Sequence, residues 1–318
     1  MPRNKSKVHP KYKTKYRVGN WAAYDRSLVD RGSITLWLSP AAIAAWTPAP
    51  TGRRGGPRKF SDVAIETALT LRLVFHLPLR QAEGFLQSLL GLMQLDLDAP
   101  DHTTLSRRSR DLEVRLRSAK TSEPIHLIVD STGLSIMGEG EWAAVKHGRN
   151  ERRGWKKLHL GVDASGVIVA EIVTDGNADD AAAVPKLLEQ IDGEISLFVA
   201  DAAYDTRSIY RALKERGATV VVPPTRAAVG ARRRRRDSSE RGRTIRRVRA
   251  VGRRRWQKDT GYHRQARVEN TFFRYKTILG GRLRARTPAG QVVEARVACN
   301  ILNQMTALGR PESFAVGM

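Results

Sequence analysis

The sequence has one cysteine, few acidic residues and no long apolar run. Cys299 alone excludes an internal disulfide framework and a multi-cysteine zinc site. No stretch of about 18 apolar residues occurs, which excludes a membrane-spanning helix. The basic N-terminus lacks the apolar segment that a secretory signal requires. We therefore expect a protein of a reducing, cytoplasmic compartment, with no membrane partner.

Positive charge is in large excess. The 318 residues include 56 Lys and Arg against 32 Asp and Glu, which gives a net charge of +24 and a pI of about 10.9. Such self-repulsion destabilises a compact state unless a polyanion offsets it. The composition thus favours a nucleic-acid partner, with a structural RNA-binding protein as the less favoured alternative. The 41% of hydrophobic residues can form a real core, and the length allows two or three domains.

Residues 1–59 are predicted to be a basic tail and linker. Seven Lys or Arg and no acid lie in the first 20 residues, and the stretch 51–59 is rich in Gly and Arg. The tail is expected to be disordered without a partner, either as a solvated segment or as an arm that contacts phosphates. Between tail and linker, the alternating Ile34, Leu36 and Leu38 predict a short strand that leads into an Ala-rich helix.

Residues 60–118 are predicted to be wholly helical and to bind DNA. Ser61 and Asp62 can cap a first helix, a second is expected at about 79–92, and Asp101 can cap a third. This third helix carries Arg107 and Arg108 among other polar side chains. Three short helices, the last polar and basic, are typical of a helix-turn-helix module, whose last helix enters the major groove. A plain helical bundle remains the alternative.

Residues 122–310 are predicted to form a mixed α/β domain. Five apolar runs alternate with helical patterns, which favours a mixed sheet of about five strands. An Arg-rich insertion at about 226–258 interrupts the pattern, with thirteen arginines from Arg232 to Arg255. Such a run is usually solvated, but on DNA it would neutralise phosphates. The runs are 125–129, 157–162, 167–173, 195–200 and 218–222.

Three acids point to a metal site. Asp130 and Asp201 each follow a buried apolar run, so each is expected at the C-terminal end of a strand, where sites form in open α/β sheets. Two adjacent carboxylates repel unless a cation joins them, and Mg²⁺ prefers oxygen ligands. Glu269 lies on a basic helix and is the third candidate. Such a set suits two-metal displacement at a phosphodiester.

Four motifs resemble DDE transposases of bacterial insertion sequences, in the group related to insertion sequence five: VDSTGL at 129–134, GRNERRGWKKLHLGVD at 148–163, ADAAYDT at 200–206 and YHRQARVENTFFRYKTILG at 262–280. The resemblance covers about residues 60–305. It implies an RNase H-like fold, with Asp130, Asp201 and Glu269 as catalytic residues that bind Mg²⁺ or Mn²⁺.

The resemblance also implies contacts to DNA near the cleaved end. Tyr262 and Lys276 match the family's last motif and carry this role. The motif's arginine position holds Gln265, so Arg264 or Arg267 is expected to supply the phosphate contact instead.

The expected function is that of an insertion-sequence transposase. It would bind terminal inverted repeats, cleave the element ends and join them to target DNA, acting as a homodimer on double-stranded DNA. Two alternatives stay open: an RNase H-like nuclease that does not join strands, and a DNA-binding regulator without catalysis.

Other candidate residues have simpler interpretations. Asp163 is expected in a hairpin turn, while Asp175, Asp179 and Asp180 are expected to form a turn and an N-cap. Asp205 is expected to cap the helix that follows it. Packing or solvation accounts for His147 and His159. Core packing is favoured over base stacking for Trp142 and Trp155, and Cys299 is expected to pack as a small apolar residue.

Overall fold

The computed structural model describes residues 16–49, 58–118, 123–137, 154–230 and 238–316. The predictions made for residues 1–15, for residues 51–57, for Trp142 and His147 and for the arginines at 232–236 lie outside these ranges.

The strands and helices follow in chain order. The strands are β1 Tyr16–Val18, β2 Ile125–Ile136, β3 Trp155–Val162, β4 Ile168–Asp175, β5 Ile195–Val199, β6 Thr219–Val221, β7 Arg282–Leu283 and β8 Ser313–Ala315. The helices are α1 Trp21–Asp30, α2 Ile34–Trp37, α3 Pro40–Ala44, α4 Asp62–Val74, α5 Leu79–Leu92, α6 His102–Arg108, α7 Asp180–Leu188, α8 Arg207–Glu215, α9 Arg226–Gly230, α10 Glu240–Val251, α11 Arg253–Thr260, α12 Ala266–Ile278 and α13 Pro288–Leu308. Two 3-10 turns span Ala202–Tyr204 and Tyr262–Gln265.

A mixed sheet centred on β2 confirms the α/β class. Its order is β4-β3-β2-β5-β6, with β7 beside the far end of β2. β3 is antiparallel to β2 and β4, whereas β5 and β7 are parallel to β2 and β6 is parallel to β5. The expected hairpin is present, and Asp163 accepts hydrogen bonds from the backbone of Ser165 and Val167 in its turn. β7 has only two residues, too few to give a sequence signal.

The two faces of the sheet pack against different helices. Ile128 and Leu134 of β2 lie in one buried cluster with residues of α12 and α13. Leu127 and Val129 lie in the other, with residues of α7 and α8. Because side chains alternate along a strand, Asp130 points to the same face as Ile128, which is the face covered by α12.

The N-terminal helices share a core with the sheet. Residues of α4, α5 and α6 belong to the same buried cluster as Ile128 and the inner side of α13. Ser61 and Asp101 cap α4 and α6, as expected. Three helices are thus present, but their role as a helix-turn-helix module stays a prediction. Within the described ranges, no helix combines the length and the apolarity needed to cross a bilayer.

Two predictions about the N-terminal region are wrong. Residues Ile34–Trp37 form a helical turn rather than a strand, with Trp37 buried. The third helix ends at Arg108, and residues 112–118 are irregular. The latter segment is held by side chains of α13: Asn300 accepts from Arg117 N and donates to Arg115 O. A partner far along the chain thus replaces helical hydrogen bonding.

Asn303 offers a test of this docking. It donates to Arg117 O and Ile168 O and accepts from Ile168 N, each at 2.8 Å. Each buried backbone group left unpaired costs about 1–3 kcal/mol, so we expect Asn303→Ala to lower the free energy of unfolding by at least about 2 kcal/mol in urea. Gln304→Ala, which removes one bond to Leu36 O, is the control. Equal losses for both variants would contradict this account.

Candidate active site

Asp130 lies in the middle of a long strand. The sequence predicted a strand that ends at Val129, but β2 continues to Ile136 because β3 pairs with it from Ile128 to Ser135, with Leu160 opposite Asp130. On the other side, β5 ends at Val199. Asp130 therefore lies beside the end of β5 and not at the end of β2.

Parallel pairing brings Asp201 level with Asp130. Ile128 is paired with Val199, so two residues further along both chains the acids stand opposite each other. Adjacent strands are about 4.8 Å apart. Asp201 then caps a 3-10 turn by accepting Ala203 N at 2.8 Å, which turns the chain away from the sheet.

Gln265 positions the helix that carries Glu269 beside this edge. The Gln265 side chain is buried and donates from Nε2 to Val129 O at 3.2 Å, at the residue before Asp130. This bond fixes the start of α12 against β2. Residues four apart share one side of a helix, so Glu269 lies on the side that Gln265 turns towards the strand. Glu269 itself is exposed.

The electrostatics of Asp130 reflect a crowded set of acids. Burial is the main cause that raises its pKa to about 6, and the Asp201, Glu269 and Asp180 carboxylates raise it further. The hydrogen bond from Ser131 N acts in the opposite direction. Unpaired negative charges of this kind favour a bound cation.

Tyr262 lies among the same acids. Burial, followed by the charges of Asp201, Glu269 and Asp130, raises the pKa of its hydroxyl to about 12. Its ring lies 6.2 Å from that of Trp256 in α11. The tyrosine is therefore held neutral beside three carboxylates, where it can donate a hydrogen bond.

The donor set suits a hard divalent cation. The three acids offer oxygen only, and their repulsion is relieved by a cation. Among the described residues, however, no three His, Cys, Asp or Glu side chains are drawn together closely enough to hold an ion. Asp130 and Asp201 each accept a backbone N–H instead. The acids thus lie along one edge of the sheet and act on one another electrostatically, but they do not form a closed coordination shell.

The predicted DNA contacts fall into two groups. Lys276, Arg267 and Arg107 are exposed. Arg264 donates to Gly261 O at 3.4 Å. Arg108 donates to Phe60 O at 3.0 Å and to Asp62 at 2.5 Å, and its side chain is only 13% exposed. The structure thus uses Arg108 to join α6 to the start of α4.

Sequence reasoning missed Asp180, which lies beneath the site. The N-cap of α7 is Asp179. Asp180 accepts from Ser131 Oγ and Lys157 Nζ, each at 3.0 Å. Its charge acts on both Asp130 and Asp201. The available signal was the pair of lysines, Lys156 and Lys157, near the start of β3.

Asp205 also differs from its prediction. Thr206, not Asp205, caps α8. The Asp205 carboxylate is fully buried, accepts two bonds from Arg241 at 2.6 and 2.7 Å, and accepts Thr225 N. It therefore ties the loop after Asp201 to α10 of the Arg-rich insertion. The described part of that insertion is helical and buries Ile245, Val248 and Trp256.

Three further outcomes concern aromatic, histidine and cysteine residues. Phe273, although apolar, is 68% exposed on α12. Trp155 is 43% exposed and covers Gly176, where an added Cβ would come within 2.5 Å of the ring. His159 is fully buried against Thr174, and Cys299 is fully buried, so packing accounts for both.

The fold and the acidic edge define an α/β protein with a carboxylate site formed by two neighbouring strands and one helix. The chain belongs to the transposase DDE domain family. One model of a transposase DDE domain matches residues 121–303, and a second matches residues 29–139. Family membership implies dependence on a divalent metal.

Individual relatives are more distant. An uncharacterized protein of Aquifex aeolicus (strain VF5) is 28% identical over 194 residues, 55% of this chain, and the match spans 59% of the length of that relative. Among solved structures, the piggyBac transposase synaptic complex with hairpin DNA matches at a TM-score of 0.40 and 10% identity, over 89% of this chain and 75% of that one. That score is too low to define a shared fold.

The Lys157–Asp180 pair can be measured against its neighbour. Both side chains are about 20% exposed, whereas the adjacent Lys156–Asp175 pair includes an aspartate that is 75% exposed. Exposed pairs contribute about 0.2–1 kcal/mol. In double-mutant cycles with alanine we expect a coupling energy above about 1 kcal/mol for the first pair and less for the second. The reverse order would show that Asp180 is not held by Lys157.

Proposed function

We propose that the protein is an insertion-sequence transposase that uses Asp130, Asp201 and Glu269 to cleave DNA at element ends and join those ends to target DNA. The observation that carries this proposal is the hydrogen bond from Gln265 to Val129. It anchors the helix of Glu269 beside Asp130, while the register of β2 and β5 brings Asp201 level with both.

The sheet supports an RNase H-like catalytic fold. An antiparallel unit, β2 to β4, is followed by β5 and β6 on the opposite side of β2. This order sets the first acid on the central strand and the second at the end of the next strand. The helix that carries the third acid packs over the same face.

The three carboxylates would hold Mg²⁺ or Mn²⁺. Bound there, the metal would activate the attacking oxygen and stabilise the leaving oxygen of an in-line displacement. The protein's own contribution is to keep the acids on separate rigid elements. Since burial and neighbouring charge raise the pKa of Asp130, its ionised form needs a cation more than an ordinary surface aspartate does.

Residues around the acids would position the DNA. The neutral Tyr262 hydroxyl can donate to a phosphate oxygen beside the reacting bond, and the exposed Lys276 can neutralise the next phosphates. The Gln265 side chain is hydrogen-bonded to β2, so a neighbouring arginine takes the role of the motif's arginine. Arg267, which is exposed, fits this role better than Arg264, which bonds to Gly261 O.

Recognition of terminal inverted repeats belongs in this proposal to residues 60–118. Arg107 is exposed and can hold a phosphate, while Arg108 acts mainly within the fold. Two element ends must be brought together before they are joined, so we propose a homodimer on double-stranded DNA.

A cleavage and joining assay tests the chemistry. The full chain is incubated with end DNA and target DNA in Mg²⁺ or in EDTA. We expect cleavage and joining only with metal. Asp130→Asn should reduce cleavage by at least about 10³-fold because a catalytic group of a cooperating set is lost, with DNA affinity retained. Asp175→Asn, an exposed acid on β4, is the control.

The outcomes separate the alternatives. Cleavage in EDTA, or normal cleavage by Asp130→Asn, would contradict the proposed site. Cleavage without joining would indicate a nuclease, and binding without any cleavage would indicate a regulator.

Gln265 and Arg267 should have separable effects. Gln265→Ala removes the anchor of α12, so we expect slower cleavage with unchanged DNA affinity. Arg267→Ala removes one phosphate contact, so we expect weaker binding and a salt dependence of log affinity that is shallower by about 0.9. Fluorescence anisotropy and a cleavage time course measure the two effects. If Gln265→Ala instead weakened DNA binding and left cleavage intact, the anchoring role would be wrong.

A further inference from the structure

A long groove separates the N-terminal helices from the far end of β2. Two adjoining cavities of about 910 and 620 Å³ form it, and they share the side chains of Leu79, Ser106 and Arg110. One wall comes from α4, α5 and α6. The other comes from Ser135 and Met137 of the β2 end and from residues 279–287, which include β7.

Among the described residues, the charged side chains that line the groove are cationic. They include Arg72, Arg80, Arg107, Arg110, Arg282, Arg284 and Arg286, with no Asp or Glu among the described lining residues. Arg80, Arg107, Arg110 and Arg286 are exposed. Since the field of a concave surface lined by one charge is focused within it, the groove attracts anions more strongly than the same arginines on a convex surface would.

The arginine wall is built into the fold. Glu294 of α13 is buried and accepts Arg284 N at 2.8 Å and Ala285 N at 2.7 Å, which fixes the turn after β7. Arg284 then bridges the groove floor by donating to Leu77 O at 3.1 Å. Glu294 does not line the groove, so it fixes the turn without adding a negative charge to the groove surface.

Two elements lead from the acids to the groove. Along β2, Ser135 is five residues beyond Asp130, about 17 Å at 3.3 Å per residue. Along α12 and its end, Leu279 is ten residues beyond Glu269, about 15 Å at 1.5 Å per residue. Lys276 is exposed on the way. Both estimates place the groove about 15–17 Å from the acids, and the cationic Lys276 lies between the acids and the groove.

We propose that this groove binds the phosphate backbone of duplex DNA about five base pairs from the bond that the acidic site cleaves. A rise of about 3.4 Å per nucleotide of one strand converts 15–17 Å into about five base pairs. The distance to the cleaved bond rests on the proposed function, whereas DNA binding in the groove does not. Arginine side chains that grip phosphates fix the position of a duplex without reading its sequence.

The competing interpretation is a solvated basic face that contacts no DNA. An ordinary solvated face is convex and mixes both signs of charge. Here the arginines come from the two walls of a concave groove, and the nearby Glu294 is buried in the interior. We therefore favour a phosphate site over a solvated surface.

Binding of the full chain to a 30-base-pair duplex tests the groove. The double variant Arg110→Ala, Arg286→Ala removes one exposed arginine from each wall. Each lost phosphate contact lowers the slope of log affinity against log salt concentration by about 0.9, so we expect a slope that is shallower by about 1.8. The loss should be equal on element-end DNA and on scrambled DNA.

Arg26→Ala is the matched control. Arg26 is an exposed arginine of α1. That helix lies near the other end of α13, where Arg31 donates to Gly309 O, and α13 has 21 residues and is about 31 Å long. For Arg26→Ala, the slope of log affinity against log salt concentration should equal that of the unchanged protein. Circular dichroism and a melting curve establish that each variant is folded.

Each outcome decides the matter. An unchanged slope in the folded double variant, or a loss equal to that of Arg26→Ala, overturns the proposal. A loss confined to element-end DNA also overturns it, because the groove would then read sequence. The cleavage assay with the unchanged protein and with Asp130→Asn separates the two hypotheses. If the groove variant changes the slope but neither of these proteins shows metal-dependent cleavage, the groove stands and the proposed chemistry fails.

The distance has its own measurement. End duplexes are shortened stepwise towards the cleaved bond, from each side in turn. On the side that occupies the groove, the slope difference between the unchanged protein and the double variant should vanish once fewer than about five base pairs remain. A difference that persists with three base pairs on both sides would contradict the proposed position.

Discussion

The bond between the Gln265 amide and the Val129 carbonyl is the contact on which the acidic edge depends. It joins residues 136 positions apart and lies in the buried interior. A hydrogen bond shielded from water has little competition from solvent, so it can fix where a helix begins relative to a strand. Because that strand is the centre of the sheet, the position of α12 is set relative to every other element of the site.

A second layer of polar contacts supports the edge from the opposite face. Ser131, next to Asp130, donates to Asp180, which is also held by Lys157. On the far side of Asp201, Asp205 is clamped by Arg241. These ion pairs hold Asp180 and Asp205 in fixed positions beside the acids, and the charge of Asp180 still acts on Asp130 and Asp201.

Sequence patterns predicted the elements better than their ends. The hairpin of β3 and β4, the caps Ser61 and Asp101, and the helix that carries Glu269 were predicted correctly, because each depends on local periodicity or on turn chemistry. The strand at Ile34, the long third helix and the end of β2 were wrong. In each case a distant partner decided the outcome, such as Asn300 for residues 112–118 and β3 for the extension of β2.

The sequence by itself determined the chemistry: a basic chain, apolar runs that each precede an acid, and a motif that carries Tyr262, Glu269 and Lys276. These follow from residue type and spacing, which are local. Only the tertiary structure decided that Gln265 faces β2 and not DNA, that Arg108 and Asp205 are used within the fold, and that Asp180 lies beneath the acids. It also decided that arginines from α5, α6 and the β7 region line one groove. Each of these depends on pairing between segments far apart in the chain, and one-dimensional spacing carries no record of such distances.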